Sequence, residues 1–300
     1  MRAAVLREVG GALAVEDVPE PDGPAVAVRA AGANFADVLI RSGRYPQMPE
    51  LPFVPGSEVA GELDGRRVVA FVRGSGGGYA ERVAVDPDWV FDLPAQASFS
   101  EGAAFLLTYL TAWIPLTRQV RLREGQTVLV HAAAGGVGSA AVQLARHLGA
   151  RVVATAGSEE KRNVALELGA EEAYGYDDFA GAVKVDHVLD PVGGAVFADS
   201  LKALNPLGSI VAIGFAGGLW EDVSPQFLVG RNVSVHGFYL GRLTQLQPAT
   251  VRAAADELLE LWRAGAIEPL VGAQLPLDRA NDTLDLLGSR QSVGKVVLVP

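Results

Sequence analysis

The stretch Thr127-Val128-Leu129-Val130-His131-Ala132-Ala133-Ala134-Gly135-Gly136-Val137-Gly138 reads as a buried apolar strand, a tight glycine turn and the opening of a helix. Apolar residues recur at Val137, Ala141, Leu144, Ala145 and Leu148, the three-and-four spacing of one buried helical face, so a helix is expected over Ser139 to Leu148. Gly149 stands where a C-terminal cap belongs, and a second β-branched run follows over Arg151 to Thr155. Strand, glycine turn, helix, strand is the unit that holds dinucleotides.

The reason is steric and electrostatic together. A pyrophosphate rests on backbone N–H groups at a helix start, where the helix dipole also favours negative charge, and any Cβ in the turn obstructs its approach. Against the pattern G-x-G-x-x-G the chain offers Ala133-Ala134-Gly135-Gly136-Val137-Gly138, with alanine in the first glycine position. Gly135 and Gly136 leave room for phosphates, and Gly138 lets the helix pack closely on its sheet. A site for NAD usually carries an acid about 20 residues further on, for the ribose 2′-OH. Here Gly157 and Ser158 hold that place, and Lys161 follows in the first turn of the next helix, where an ammonium can meet a 2′-phosphate. The expected cofactor is NADPH.

Bulk properties narrow the field. The chain has 300 residues, 49% hydrophobic and 20% charged, a globular composition with room for two cores. A net charge of −10 argues against nucleic acid as a partner. There is no cysteine, so disulfide and thiolate chemistry are excluded, and the four histidines at 131, 147, 187 and 236 show no ligand spacing; no metal site is expected. Neither a signal-peptide pattern nor an apolar run of about 18 residues is present, so no membrane association and a cytoplasmic location are expected.

Residues 1 to about 100 read as short strands punctuated by Gly and Pro: Ala3–Leu6, Ala12–Asp17, Ala25–Ala31, Ser57–Leu63, Arg67–Phe71 and Tyr79–Val85. Beyond Ser100 helix and strand alternate. Strands are expected at Val185–Leu189, Ser209–Ile213 and Val233–Phe238, and helices around Val196–Leu204 and Thr250–Ala264, which predicts a parallel, doubly wound sheet. The last strand, Lys295–Val299, is expected to return to the first domain. The fold class is α/β.

Several stretches together resemble the zinc-free quinone oxidoreductases, the ζ-crystallin-like branch of the medium-chain dehydrogenase/reductase superfamily. They are Gly32-Ala33-Asn34-Phe35-Ala36-Asp37, Arg41-Ser42-Gly43-Arg44-Tyr45-Pro46, Pro55-Gly56-Ser57-Glu58, Leu110-Thr111-Ala112-Trp113, the His131–Gly138 run, Asp190-Pro191-Val192-Gly193-Gly194 and Ser289-Arg290. The resemblance implies a β-rich GroES-like catalytic domain built from both chain ends (1–105 and 245–300) and a central Rossmann domain (106–244). It also implies an active site in the cleft between them and a homodimer formed through the Rossmann domains. It places Asn34 and Asp37 on the nicotinamide and substrate side, with Arg41 and Tyr45 nearby. Thr111 is placed on the carboxamide, and Gly157, Ser158, Lys161, Tyr176 and Arg290 around the adenosine 2′-phosphate. Ala134, Gly135, Gly136, Val137, Gly138, Gly214 and Phe238 complete the cofactor set.

The implied reaction moves a hydride from NADPH to a quinone, with Asn34 and Tyr45 as donors to the developing charge on oxygen. Leu39 stands where some relatives place a tyrosine, which gives a more apolar wall and keeps open reduction of an enone or 2-alkenal. A third alternative is an NADPH-binding protein with minor catalysis. Glu58 is expected to pair with an arginine as a buried structural charge, and His131 and His236 to be structural hydrogen-bonding residues.

Overall fold

The computed structural model describes residues 1–72 and 76–300. The chain divides into two compact units, Met1–Leu107 with Glu268–Pro300, and Thr108–Ile267.

The first unit opens with β1 (Arg2–Val5), β2 (Ala14–Asp17) and β3 (Ala25–Ala33), then α1 (Phe35–Arg41). It continues through β4 (Glu58–Leu63), β5 (Arg66–Phe71), β6 (Arg82–Ala84), β7 (Val90–Asp92) and α2 (Phe99–Ala103). Helix α3 (Leu106–Ile114) leads into the second unit. There β8 (Thr127–Val130), α4 (Gly136–His147), β9 (Arg151–Thr155), α5 (Glu159–Glu167) and β10 (Glu172–Tyr174) make the first half. Then come α6 (Phe179–Ala182), β11 (Val185–Asp190), α7 (Gly194–Ala203), β12 (Leu204–Ala212), α8 (Pro225–Arg231), β13 (Ser234–Gly237), α9 (Leu240–Leu246) and α10 (Pro248–Arg263). The chain returns to the first unit with β14 (Val271–Pro276), α11 (Ala280–Gly288) and β15 (Lys295–Val299).

In the first unit a mixed sheet runs β14-β15-β3-β4-β5-β7, with β6 also on β3, and β1 pairs separately with β2. Asp64 and Gly65 turn β4 into β5 with φ of 51° and 77°, the two positive angles that a two-residue hairpin of the right twist requires. Val26, Val28, Val59, Val68, Val296 and Leu298 fill its core. The last strand returns to the first unit as expected, and there it pairs antiparallel with β3, Val296 against Ala33 and Leu298 against Ala31. The strand expected over Tyr79–Val85 shrinks to Arg82–Ala84, because Tyr79 spends its backbone on Ala4 and Pro55.

In the second unit six parallel strands run β10-β9-β8-β11-β12-β13. This is the doubly wound order in which the chain leaves β8 in one direction and returns to its other side. The continuous apolar run of β8 is what a strand covered on both faces needs, and Leu129, Val153, Val188 and Ile210 are at most 1% exposed. Among the described residues no helix is long and apolar enough to cross a membrane.

Candidate active site

In an open parallel sheet, ligands settle outside the carboxyl ends of the strands where the winding reverses. In the second unit that point lies between β8 and β11, and both strands end in glycine-bearing turns, Ala132–Gly136 after β8 and Asp190–Gly194 after β11. Helix α4 begins at Gly136 with Gly135 as its N-cap, three residues earlier than the apolar spacing suggested. Glycine is a poor helix former, but the amides of a first turn have no intrahelical acceptor, and here they supply the donors an anion seeks. Ala134 is buried, while Gly135, Gly136 and Val137 are half-buried. A Cβ on Gly138 would lie 2.1 Å from the Ala132 carbonyl oxygen, so only glycine lets α4 approach the turn this closely.

Beside this turn, a Cβ on Gly157 would meet nothing nearer than a Tyr176 ring carbon at 3.8 Å, so its bareness answers no packing demand within the protein. Ser158 caps α5, its hydroxyl accepting the Lys161 N–H at 3.3 Å. Partial burial lowers the Lys161 pKa against a smaller opposing effect of Glu160. Tyr176 follows β10, with its ring centroid 6.4 Å from that of His131.

His131 is a buried strut. Its Nε2 lies 2.6 Å from the Ser200 hydroxyl, which itself donates to the Val196 carbonyl, and its Nδ1 lies 2.7 Å from the Thr155 hydroxyl. Since Ser200 spends its proton on Val196, the ring carries hydrogen on Nε2 and accepts at Nδ1. Burial lowers its pKa to about 3, so the ring is neutral across the working range.

Asp190 ends β11 with no exposed surface; one carboxylate oxygen accepts the N–H groups of Val192 and Gly193 at 2.8 and 3.0 Å, and the other has no partner. Burial raises its pKa to about 6 against those two bonds. Gly214 follows β12, where a Cβ would fall 2.9 Å from the Pro191 carbonyl oxygen. Phe238 follows β13, buried and bonded through its N–H to the Ala212 carbonyl. Thr111 is buried within α3.

The first unit holds the other group of expected residues. Asn34 closes β3 and caps α1, its N–H donating to Asp37 at 2.8 Å. Its amide nitrogen points at the Gly32 carbonyl and Glu58, at 3.2 and 3.3 Å, and its amide oxygen accepts from Lys295 at 2.5 Å. Asp37 also accepts from the Tyr79 hydroxyl at 2.9 Å. Burial raises the Asp37 pKa, opposed by the Asn34 and Tyr79 bonds and by the Lys295 charge. Arg41, in the last turn of α1, reaches Asp285 of α11 at 2.7 Å. Tyr45 is half-buried and packs on the core of this unit. Arg290 is exposed beyond α11, with a left-handed φ of 59°.

This architecture is shared. A family model for the alcohol dehydrogenase GroES-like domain matches residues 20–68, and one for zinc-binding dehydrogenase matches residues 136–260. The quinone oxidoreductase of Thermus thermophilus, solved also in complex with NADPH, superposes with a TM-score of 0.92 at 41% identity over 100% of both chains. The quinone oxidoreductase-like protein 2 homolog of Nematostella vectensis is 35% identical over 99% of this chain and 88% of its own. This chain belongs to the quinone oxidoreductase family of the medium-chain dehydrogenase/reductase superfamily. The Escherichia coli quinone oxidoreductase complexed with NADPH gives a TM-score of 0.89 at 29% identity, covering 100% of this chain and 99% of that one.

Within this family frame the chain has no cysteine, whatever the name of the matched zinc-binding model. Among the described residues no three His, Cys, Asp or Glu side chains are placed to share a metal ion.

Two buried members of the first-unit cluster, Tyr79 and Lys295, stand outside the residues expected from the sequence, and a third, Glu58, has another partner than expected. Glu58 pairs with Lys295 at 2.5 Å and not with an arginine; the two side chains are 1% and 4% exposed. Sheet register decides this partner. With Val296 opposite Ala33 in one pairing and Ala31 opposite Val59 in the other, Lys295, Asn34 and Glu58 fall at one end of adjacent strands.

Proposed function

We propose that this oxidoreductase transfers a hydride from NADPH to a quinone without a resident metal. The observation that carries the reading is the glycine turn of α4 at the point where the parallel sheet reverses its winding, in a chain 41% identical along its whole length to a quinone oxidoreductase solved with NADPH. Gly157, bare of any internal packing demand, agrees with a ligand at that place.

When bound, NADPH supplies the hydride. Gly136, Val137 and Gly138 offer first-turn amides to the pyrophosphate, and Gly135, the N-cap, with Ala134 beside it, leaves room for its approach. Lys161 and Arg290 meet the 2′-phosphate as cations, the guanidinium as a rigid fork, with Gly157, Ser158 and Tyr176 shaping the space around it. Thr111, Gly214 and Phe238 border the nicotinamide half.

On the acceptor side, the Tyr45 hydroxyl donates a hydrogen bond to the oxygen that gains charge and keeps its own proton. Asn34, whose amide hydrogens point at Gly32 and Glu58, holds the start of α1 in place. Asp37 orients the same turn through Asn34 and Tyr79, and Arg41 is steadied by Asp285. A quinol anion takes its proton from solvent, so no buried acid–base pair is needed.

Self-association through the second unit is supported by an edge strand and exposed apolar side chains. Strand β13 is an edge of its sheet, and Leu219, Val229 and Val235 are exposed on this unit, at 74%, 76% and 36%. A second copy of this chain is the proposed partner, and light scattering coupled to size exclusion measures it: a monomer at micromolar concentration rejects the dimer.

The catalytic proposal is tested by following nicotinamide absorbance with quinone, enal and ketone acceptors. Fastest turnover with a quinone is expected. Faster reduction of an enal would move the assignment to enone reduction, and no turnover with any acceptor would leave a nucleotide-binding protein.

A further inference from the structure

We infer that Lys295 is a positioning residue for this reaction: its ammonium locks Asn34 and Glu58, and through them sets the start of α1 and the first turn of α3. The inference rests on the oxidoreductase reading above.

Lys295 Nζ lies 2.5 Å from both Asn34 Oδ1 and Glu58 Oε1, and all three residues are buried. Asn34 Nδ2 closes the triangle on Glu58 Oε1 at 3.3 Å. The second Glu58 oxygen accepts the N–H of Leu107 at 2.9 Å, in the first turn of α3. Gly32 makes room for this arrangement, since a Cβ there would fall 2.8 Å from both Cγ and Oε1 of Glu58. One cluster therefore sets the origin of two helices. Helix α1 ends in Arg41 and leads to Tyr45, and α3 carries Thr111 one turn beyond Leu107.

A core position that needed only stability would be better served by apolar side chains of similar volume, because the desolvation of a buried ammonium and carboxylate offsets what their attraction returns. What the ion pair adds is direction: two helix origins fixed by hydrogen bonds from one charged centre. Displacements of about 1 Å in residues that orient reactants can lower rates on the order of 100-fold.

The test compares wild type with Lys295→Met, Lys295→Arg, Glu58→Gln and the double variant Lys295→Met/Glu58→Gln. The readouts are Tm, kcat and KM with a quinone, and amide hydrogen exchange in α1 and at Leu107. Lys295→Met is expected to lose roughly 10- to 100-fold in kcat with less than about threefold change in KM for NADPH, and Lys295→Arg to regain part of the loss. In the double variant the stranded charge is gone, so Tm returns toward wild type while kcat stays low and exchange at α1 and Leu107 stays fast. Recovery of kcat together with Tm in the double variant overturns the inference, as does wild-type kcat in Lys295→Met. If wild type turns over no acceptor yet exchange accelerates in Lys295→Met and stays fast in the double variant, the oxidoreductase reading fails while the clamp stands.

Discussion

Gly138 sits so close to Ala132 that a methyl group on its Cα would lie 2.1 Å from the Ala132 carbonyl oxygen and 2.7 Å from the Ala133 Cα. Both obstacles are backbone, and Ala132 already holds a left-handed φ of 50°, so the turn cannot yield without losing its form. Gly138→Ala is expected to destabilise the protein by about 1–3 kcal/mol and to weaken NADPH binding at least tenfold, by urea unfolding and calorimetric titration. Unchanged stability and affinity would show that the approach of α4 is not constrained.

Tyr45 is the proposed donor to the acceptor oxygen. Tyr45→Phe keeps the ring and its packing on the core but removes the proton. A fall in kcat of about 10-fold with KM for NADPH unmoved is expected, which steady-state kinetics with a quinone reads directly. Total inactivation would mean that the hydroxyl is also the proton source, and an unchanged kcat would remove Tyr45 from the mechanism.

Recognition of the 2′-phosphate is proposed for Lys161 and Arg290. Lys161→Ala and Arg290→Ala should each raise the Kd for NADPH roughly 10-fold while leaving that for NADH in place, since only one of the two nucleotides carries the phosphate. Equal losses for both nucleotides would assign these residues to the shared part of the cofactor.

Two buried groups set opposite pH dependences of folding. His131 has its pKa lowered from 6.5 to about 3, so the unfolded chain binds the extra proton between those values. Its stabilisation is complete above pH 6.5 and is lost as pH falls toward 3, on the order of 5 kcal/mol in all. Asp190 has its pKa raised from 3.8 to about 6, so the native state binds the extra proton, and stability falls as pH rises through that window by about 3 kcal/mol. Urea unfolding across pH 4–8 checks both. The stability difference between wild type and His131→Gln should grow with pH up to 6.5, whereas that between wild type and Asp190→Asn should shrink from pH 4 to 6. Parallel profiles would contradict the assigned causes.

How legible the chain was depended on sequence separation. The strand, glycine turn and helix at Thr127–His147 could be read because every determinant lies within one local unit; the helix start moved three residues, to Gly136, where a first turn tolerates glycine, and its end moved one, to His147. The winding of the second unit followed from alternating patterns, and Lys295–Val299 reads as a strand returning to the first unit, but its partner β3 is set by the fold. The cluster in the first unit was only half visible. Asn34 and Asp37 stand three residues apart, but Lys295 lies 237 residues from Glu58 and 261 from Asn34, and no local spacing couples them. Tyr79 reads as a strand residue until the fold brings its hydroxyl to Asp37, 42 positions away.

A phosphorylated nicotinamide nucleotide bound at the α4 turn is the central proposal, and isothermal titration of the chain with NADPH and NADH in parallel tests it most directly. Saturable binding is predicted with NADPH, and affinity for NADH weaker by about 10-fold or more, the share assigned to one phosphate held by two cations. No heat with either nucleotide, or NADH binding as tightly as NADPH, would contradict it.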